Sequence, residues 1–234
     1  MKKIKTITLS LLAAMLFSVS SFAQEEESSS IFDAGMDIYS SYIWRGAKFG
    51  TGPAFQPWMT ATVGGLEIGA WGSVCSGGLS EISGNDIVSP EGFEMDLYAS
   101  YGFDFGLSLG VTDYYFGGDW TTFDENHYIE PAVGYEIADF SFTGAYMFMP
   151  DFEDGDMYLE VGYSIAGLDL ALGAGDGQYT ITDDDPEGDF NICNLTLGTS
   201  KEIKLTDSFS LPLSGAVTLN PTTGGFFIYV GISL

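Results

Sequence analysis

The chain has 234 residues, 31 of them glycine, 15% aromatic side chains, and 33 acidic against 7 basic residues, for a formal net charge of −26. That balance excludes nucleic acid as a partner, because phosphate contacts need clustered Lys and Arg. Two cysteines, Cys75 and Cys193, do not have the spacing of a metal site.

Lys2, Lys3 and Lys5 precede an apolar run from Ile7 to Phe17, and Ser21-Phe22-Ala23 follows. This is the pattern of a cleaved secretory signal over 1–23. The run is much shorter than the ~20 residues of a spanning helix. Residues 24–31, opening Gln-Glu-Glu-Glu-Ser-Ser-Ser, read as a polar periplasmic leader. Of the seven basic residues only Arg45, Lys48, Lys201 and Lys204 lie beyond the signal.

From residue 32 the pattern changes to alternation with a period of two. It is clearest at 93–101, 157–165 and 226–234. In the last segment Phe226, Ile228, Val230, Ile232 and Leu234 share one face, with Tyr229, Gly231 and Ser233 on the other. A helix would scatter these residues; a strand sorts them to two faces. The full reading places strands near 32–45, 54–63, 66–75, 93–102, 107–116, 127–137, 140–149, 156–165, 168–175, 190–200, 208–219 and 226–234.

The connections then alternate in length. Gly64-Gly65, the turn near Asp104, Ala138-Asp139, Ala166-Gly167 and Lys201–Asp207 are short. The segments 46–53, 76–92, 117–126, 150–155, 176–189 and 220–225 are longer and polar. Short periplasmic turns facing longer external loops, with an even strand count, specify an all-β fold. The expectation is a transmembrane antiparallel up-and-down β-barrel of about twelve strands over 32–234, in the outer membrane of a Gram-negative bacterium. Pro57, Pro131 and Pro212 fall inside predicted strands, which points to bulges or rims. Asp113 falls on an apolar face and is expected above the hydrocarbon or beyond a bulge. Alternation is poor over 190–200.

With apolar faces toward lipid, the other faces line the lumen. The predicted pore-lining residues are Asp37, Tyr39, Arg45, Trp58, Glu67, Trp71, Glu94, Asp96, Tyr98, Glu130, Glu136, Glu160 and Asp169. Asp33, Tyr114 and Tyr158 point the same way. Carboxylates in such a tube need water or bound cations, so the expected function is passive diffusion of small solutes, with cations preferred. The alternative is a plugged structural or adhesive barrel whose acidic loops, 151–156 and 183–189, bind ions or partners. No cofactor and no metal site is expected; the loops lack the ligand spacing of an EF-hand and read as solvated acidic tracts. The expected partners are outer-membrane lipid, small solutes or cations, and the barrel-assembly machinery. Cys75 and Cys193, on distant strands, read as two thiols. His127, the one histidine, sits near a strand end and reads as a solvent-exposed rim residue, so no enzyme is expected.

The stretch Ser40-Ser41-Tyr42-Ile43-Trp44-Arg45-Gly46, then Gly52-Pro53-Ala54-Phe55-Gln56-Pro57, Gly69-Ala70-Trp71-Gly72-Ser73 and Glu94-Met95-Asp96-Leu97-Tyr98 resembles the TorF-type porins, a conserved bacterial family of unknown function. Ser41 stands where that family commonly has an acidic residue, and Leu234 ends a strand that many outer-membrane proteins end with Phe. The resemblance covers roughly residues 35–116. It implies an outer-membrane barrel with a channel role and supplies no substrate.

Overall fold

The computed structural model describes residues 31–77, 92–207 and 209–234. The predicted signal, almost all of the leader and most of the 76–92 connection lie outside them. Among the described residues fourteen strands occur in chain order: β1 Phe32–Tyr39, β2 Tyr42–Trp44, β3 Ala47–Phe49, β4 Ala54–Val63, β5 Leu66–Cys75, β6 Phe93–Gly102 and β7 Leu107–Tyr115. They continue as β8 His127–Ile137, β9 Phe140–Phe148, β10 Gly155–Ile165, β11 Leu168–Gly175, β12 Asn191–Lys204, β13 Ser210–Leu219 and β14 Phe226–Ser233. Twelve of them close an antiparallel barrel in which each strand pairs with its chain neighbour and β1 meets β14; β2 and β3 form a separate two-stranded sheet.

Alternation builds the wall as predicted. Ile68, Leu97, Val133, Phe142, Leu159, Leu172, Leu197 and Ile228 are among the apolar side chains exposed on its outside. Aromatic residues gather at both ends of this apolar band. Tyr101, Phe103 and Phe105 pack together near the short turns, as do Phe140 and Tyr163. Tyr115 with Trp120, and Tyr146 with Phe148 and Phe152, do so near the long loops. This is the layout of a barrel with two interfacial girdles.

Two expectations need correction and one irregularity is explained. The first predicted strand, 32–45, ends at Tyr39. Its seam with β14 runs only from Met36–Leu234 to Ser40–Val230. Residues 42–49 then leave the wall as the β2–β3 hairpin, so β14 closes on β1 and not on a strand carrying Arg45. Second, Pro57 and Pro131 are at neither bulges nor rims. Each sits in register opposite Met36 and Val111 respectively. On its other side each only interrupts the ladder, and pairing resumes without a shift. Pro212 lies close to the short-turn end, opposite Glu202. Third, the weak alternation over 190–200 has a cause: the register slips between Gly173 and Ala174 as β12 bulges at Cys193. Cys193 and Asn194 are consequently both buried, which breaks the period locally.

Candidate functional site

The hairpin β2–β3 turns at Arg45 and Gly46, whose φ angles are 47° and 82°. Two positive values in a two-residue loop are those of a type I′ turn. Arginine is unusual there, since an L side chain in this region is strained. The hairpin lies inside the barrel: Tyr42 and Trp44 are buried, along with Tyr114, Met147, Tyr158 and Tyr179. Trp44 packs on Phe49, Tyr114 and Tyr179, and Tyr42 packs on Phe49 and Trp71. Phe49 stacks on Phe116, which stacks in turn on Tyr114. The long-loop half of the lumen is therefore filled by an aromatic core.

The tip is clasped by the wall. A Cβ on Gly46 would lie 1.9 Å from the Cys193 carbonyl oxygen, so only glycine reaches the β12 bulge. At the hairpin's base, a Cβ on Gly50 would meet the Cys75 sulfur at 2.6 Å, and the Cys75 thiol donates to the Phe49 carbonyl oxygen at 3.4 Å. Both cysteines are buried thiols, one at each end of the hairpin.

Arg45 forms the centre of the site. Its Nη1 and Nη2 donate to Glu130 Oε2 and Oε1 at 2.6 and 2.8 Å, and Nη1 also donates to the Tyr179 hydroxyl at 2.7 Å. The pair is nearly dry, with side chains 8% and 0% exposed. The guanidinium carbon stands 4.5 Å from the Trp44 ring centre and 4.4 Å from that of Tyr158, with Tyr179 at 5.5 Å. A bidentate carboxylate with stacked rings is the geometry arginine matches best.

The wall holds this receptor rigidly. Tyr114 on β7 donates to Glu130 Oε1 at 3.1 Å. Tyr158 on β10 donates to Glu160, and Asn194 donates to both at 3.1 and 2.9 Å. The Tyr158 ring lies against Gly173 of β11, where a Cβ would come within 2.2 Å of its hydroxyl oxygen. Tyr179 comes from a 3-10 turn, Gly177–Tyr179. Asn220 fixes its carbonyl at 3.1 Å, and the Asp156 and Asp176 carboxylates take backbone N–H bonds from Gln178 and Met157.

The predicted lumen residues divide by level. Glu94, Asp96, Glu130 and Glu160 are buried in the filled half, with Trp71 packed against Tyr42. Asp37, Tyr39, Trp58, Glu67, Tyr98 and Asp169 are half-buried on the inner faces of their strands, and Glu136 is exposed near a short turn. Several of the rings lie against glycine: Tyr39 against Gly231, Trp58 against Gly35 and Tyr98 against Gly69. Between them and the short turns the inner face carries Ser100, Ser108, Gly134, Ser141, Gly162, Ser164 and Ser214, all small. Arg45 sits at the tip of the hairpin and not on a wall strand. Lys48 is on the same hairpin, exposed. Sequence reasoning missed the infolding, although aromatic residues flanking Arg45-Gly46 were a hairpin signal.

His127 is not the solvent-exposed rim residue expected. It is 1% exposed, on the outer face, with Nδ1 at 2.9 and 3.0 Å from the Asp113 carboxylate and Nε2 at 3.1 Å from the Trp120 carbonyl oxygen. Rings of Tyr115, Trp120 and Phe123 close around it. Asp113 is in regular register opposite Leu97 and Ile129, so no bulge removes it; the 116–126 connection folds over the pair instead. In the acidic loops Asp151, Asp154 and Asp185 accept bonds from their own backbone. Among the described residues, no group of three or more His, Cys, Asp or Glu is placed to hold a metal ion.

The chain belongs to the bacterial family of unknown function called Gcw_chp, whose profile matches residues 23–209. No curated protein matches it. Among solved structures it is similar to mutant forms of the Rh. blastica porin. One is 12% identical with a TM-score of 0.40, a second 13% with 0.39, and a third 11% with 0.38. Each alignment covers 77% of this chain and 55% of the porin, so the chain spans about half the length of the porins it matches. At that level the likeness carries no functional information.

Proposed function

We propose that this chain is an outer-membrane channel of TorF type, preferring cations, and closed at its external end by the β2–β3 hairpin. The observation that carries the reading is the distribution of charge. The inner wall bears Asp37, Glu67, Glu94, Asp96, Glu130, Glu160 and Asp169, while the buried Arg45 and the exposed Lys48 both ride on the hairpin. A tube lined this way attracts cations and repels anions once the hairpin withdraws. The apolar band and two aromatic girdles support a bilayer location. Short turns and both described chain ends lie at one rim, which by the usual asymmetry faces the periplasm. His127 has both ring nitrogens engaged on the outer wall, away from the lumen, which supports a transport role over catalysis.

Planar-bilayer recording tests this. The wild-type barrel should conduct little, in brief openings, and a variant with 41–50 replaced by a short Gly-Ser link should conduct steadily. In a KCl gradient its reversal potential should show cation preference. A second reading, a permanently plugged structural barrel, draws on the same aromatic core. It would be established if the hairpin-deleted barrel, shown to be folded, carried no current.

A further inference from the structure

We propose that the wall pocket occupied by Arg45 is a binding site for a small guanidinium compound that also carries an amino group, and that Arg45 is its tethered stand-in. The idea rests on the channel reading for the ligand's way in, but the site itself is read from the wall.

The receptor is built by wall strands and the Gly177–Tyr179 turn, not by the hairpin it holds. Glu130 is oriented by Tyr114, and Tyr158 by Gly173, Glu160 and Asn194. Remove the hairpin and an oriented carboxylate remains, faced by an aromatic ring and a tyrosine hydroxyl. Glu130 meets both guanidinium nitrogens of Arg45 side by side, and this fork selects a planar guanidinium over a point-like ammonium or an alkali ion. The Tyr158 face adds cation–π attraction.

A second observation extends the receptor beyond the groups that Arg45 contacts. Asp96 Oδ1 and Thr112 Oγ1 are buried and have no hydrogen-bond partner. Thr112 is the cross-strand neighbour of Glu130, and Asp96 is on the next strand, opposite Tyr114. With strands ~4.8 Å apart, β6 and β8 are about 10 Å apart along the sheet, so inward side chains at the two positions fall within the span of one small dication. Buried acceptors without donors are costly. A ligand with an ammonium a few carbons from its guanidinium would satisfy both, which Arg45 cannot.

Agmatine is the probe, with putrescine as the control that lacks the guanidinium. Binding is read by calorimetry on the folded barrel in detergent, where no conductance is needed. Arg45→Gln vacates the pocket, and Gly46→Val unseats the hairpin while keeping Arg45; folding of each is read from heat-modifiable gel mobility. The wild type should bind weakly, since a tethered competitor acts at an effective concentration of ~mM or more. Both variants should bind agmatine at least tenfold more tightly than the wild type and tenfold more tightly than putrescine. Adding Glu130→Gln should abolish this, and Asp96→Asn should weaken agmatine while sparing methylguanidine. Folded variants that ignore agmatine, or bind putrescine equally well, overturn the proposal. Binding without conductance in the hairpin-released barrel would sink the channel reading and leave this one standing.

Discussion

Gly46→Ala is the sharpest test of the closed state, because it changes no charge and removes no contact. The new Cβ would lie 1.9 Å from the Cys193 carbonyl oxygen, where real contacts essentially never fall under 3.0 Å. That oxygen belongs to a wall strand and cannot yield, so the tip must withdraw by about 1.1 Å, the difference of the two distances. The Arg45–Glu130 bonds, at 2.6 and 2.8 Å, then stretch beyond hydrogen-bond range. Breaking a buried pair costs about 3–5 kcal/mol, and an L residue at φ 82° adds roughly 1–2 kcal/mol. Taking about 4 kcal/mol as the net loss, the ratio of seated to released hairpin falls roughly a thousandfold. Cys193 beneath the tip is a built-in reporter. In a Cys75→Ser background, a membrane-impermeant maleimide should label Cys193 slowly in the parent and quickly after Gly46→Ala, with channel openings lengthening in parallel. If the folded variant keeps Cys193 protected and its current unchanged, the hairpin is not held as described.

Glu130→Gln should release the hairpin by removing the charged half of the pair. Because the cost arises from leaving Arg45 buried alone, the Arg45→Gln/Glu130→Gln double variant should regain part of the about 3–5 kcal/mol of unfolding free energy; purely additive losses would argue against coupling. Gly173→Ala should push the Tyr158 ring off the guanidinium, weakening closure by ~1 kcal/mol, read as more frequent openings at unchanged single-channel conductance. Charge reversal at Glu94 or Asp96 in the hairpin-deleted barrel should shift the reversal potential toward anions, and no shift would remove these residues from the ion path. His127→Ala leaves the Asp113 carboxylate on the outer wall without its partner. It should lower stability in lipid by about 1–3 kcal/mol, with the loss relieved when Asp113→Ala is added.

The wall was written in the sequence, since strand alternation is local. From Phe93 onward the outward residues can be sorted by parity once the turns are found, except across the bulge at Cys193, and turns such as Ala166-Gly167 are marked by adjacent residues. Inward placement of Glu94, Glu130 and Glu160 follows from the same parity. What parity cannot say is where a chain leaves the wall. Arg45 turns into the lumen because its partners are Glu130 and Tyr179, 85 and 134 positions along the chain, and because a bulge at Cys193 receives Gly46. His127 is buried because the 116–126 connection folds back over Asp113, a contact between a loop and a strand face that no local pattern encodes. The barrel was fixed by a two-residue period; whether its lumen is open was decided by contacts across it, made only after the ring closes.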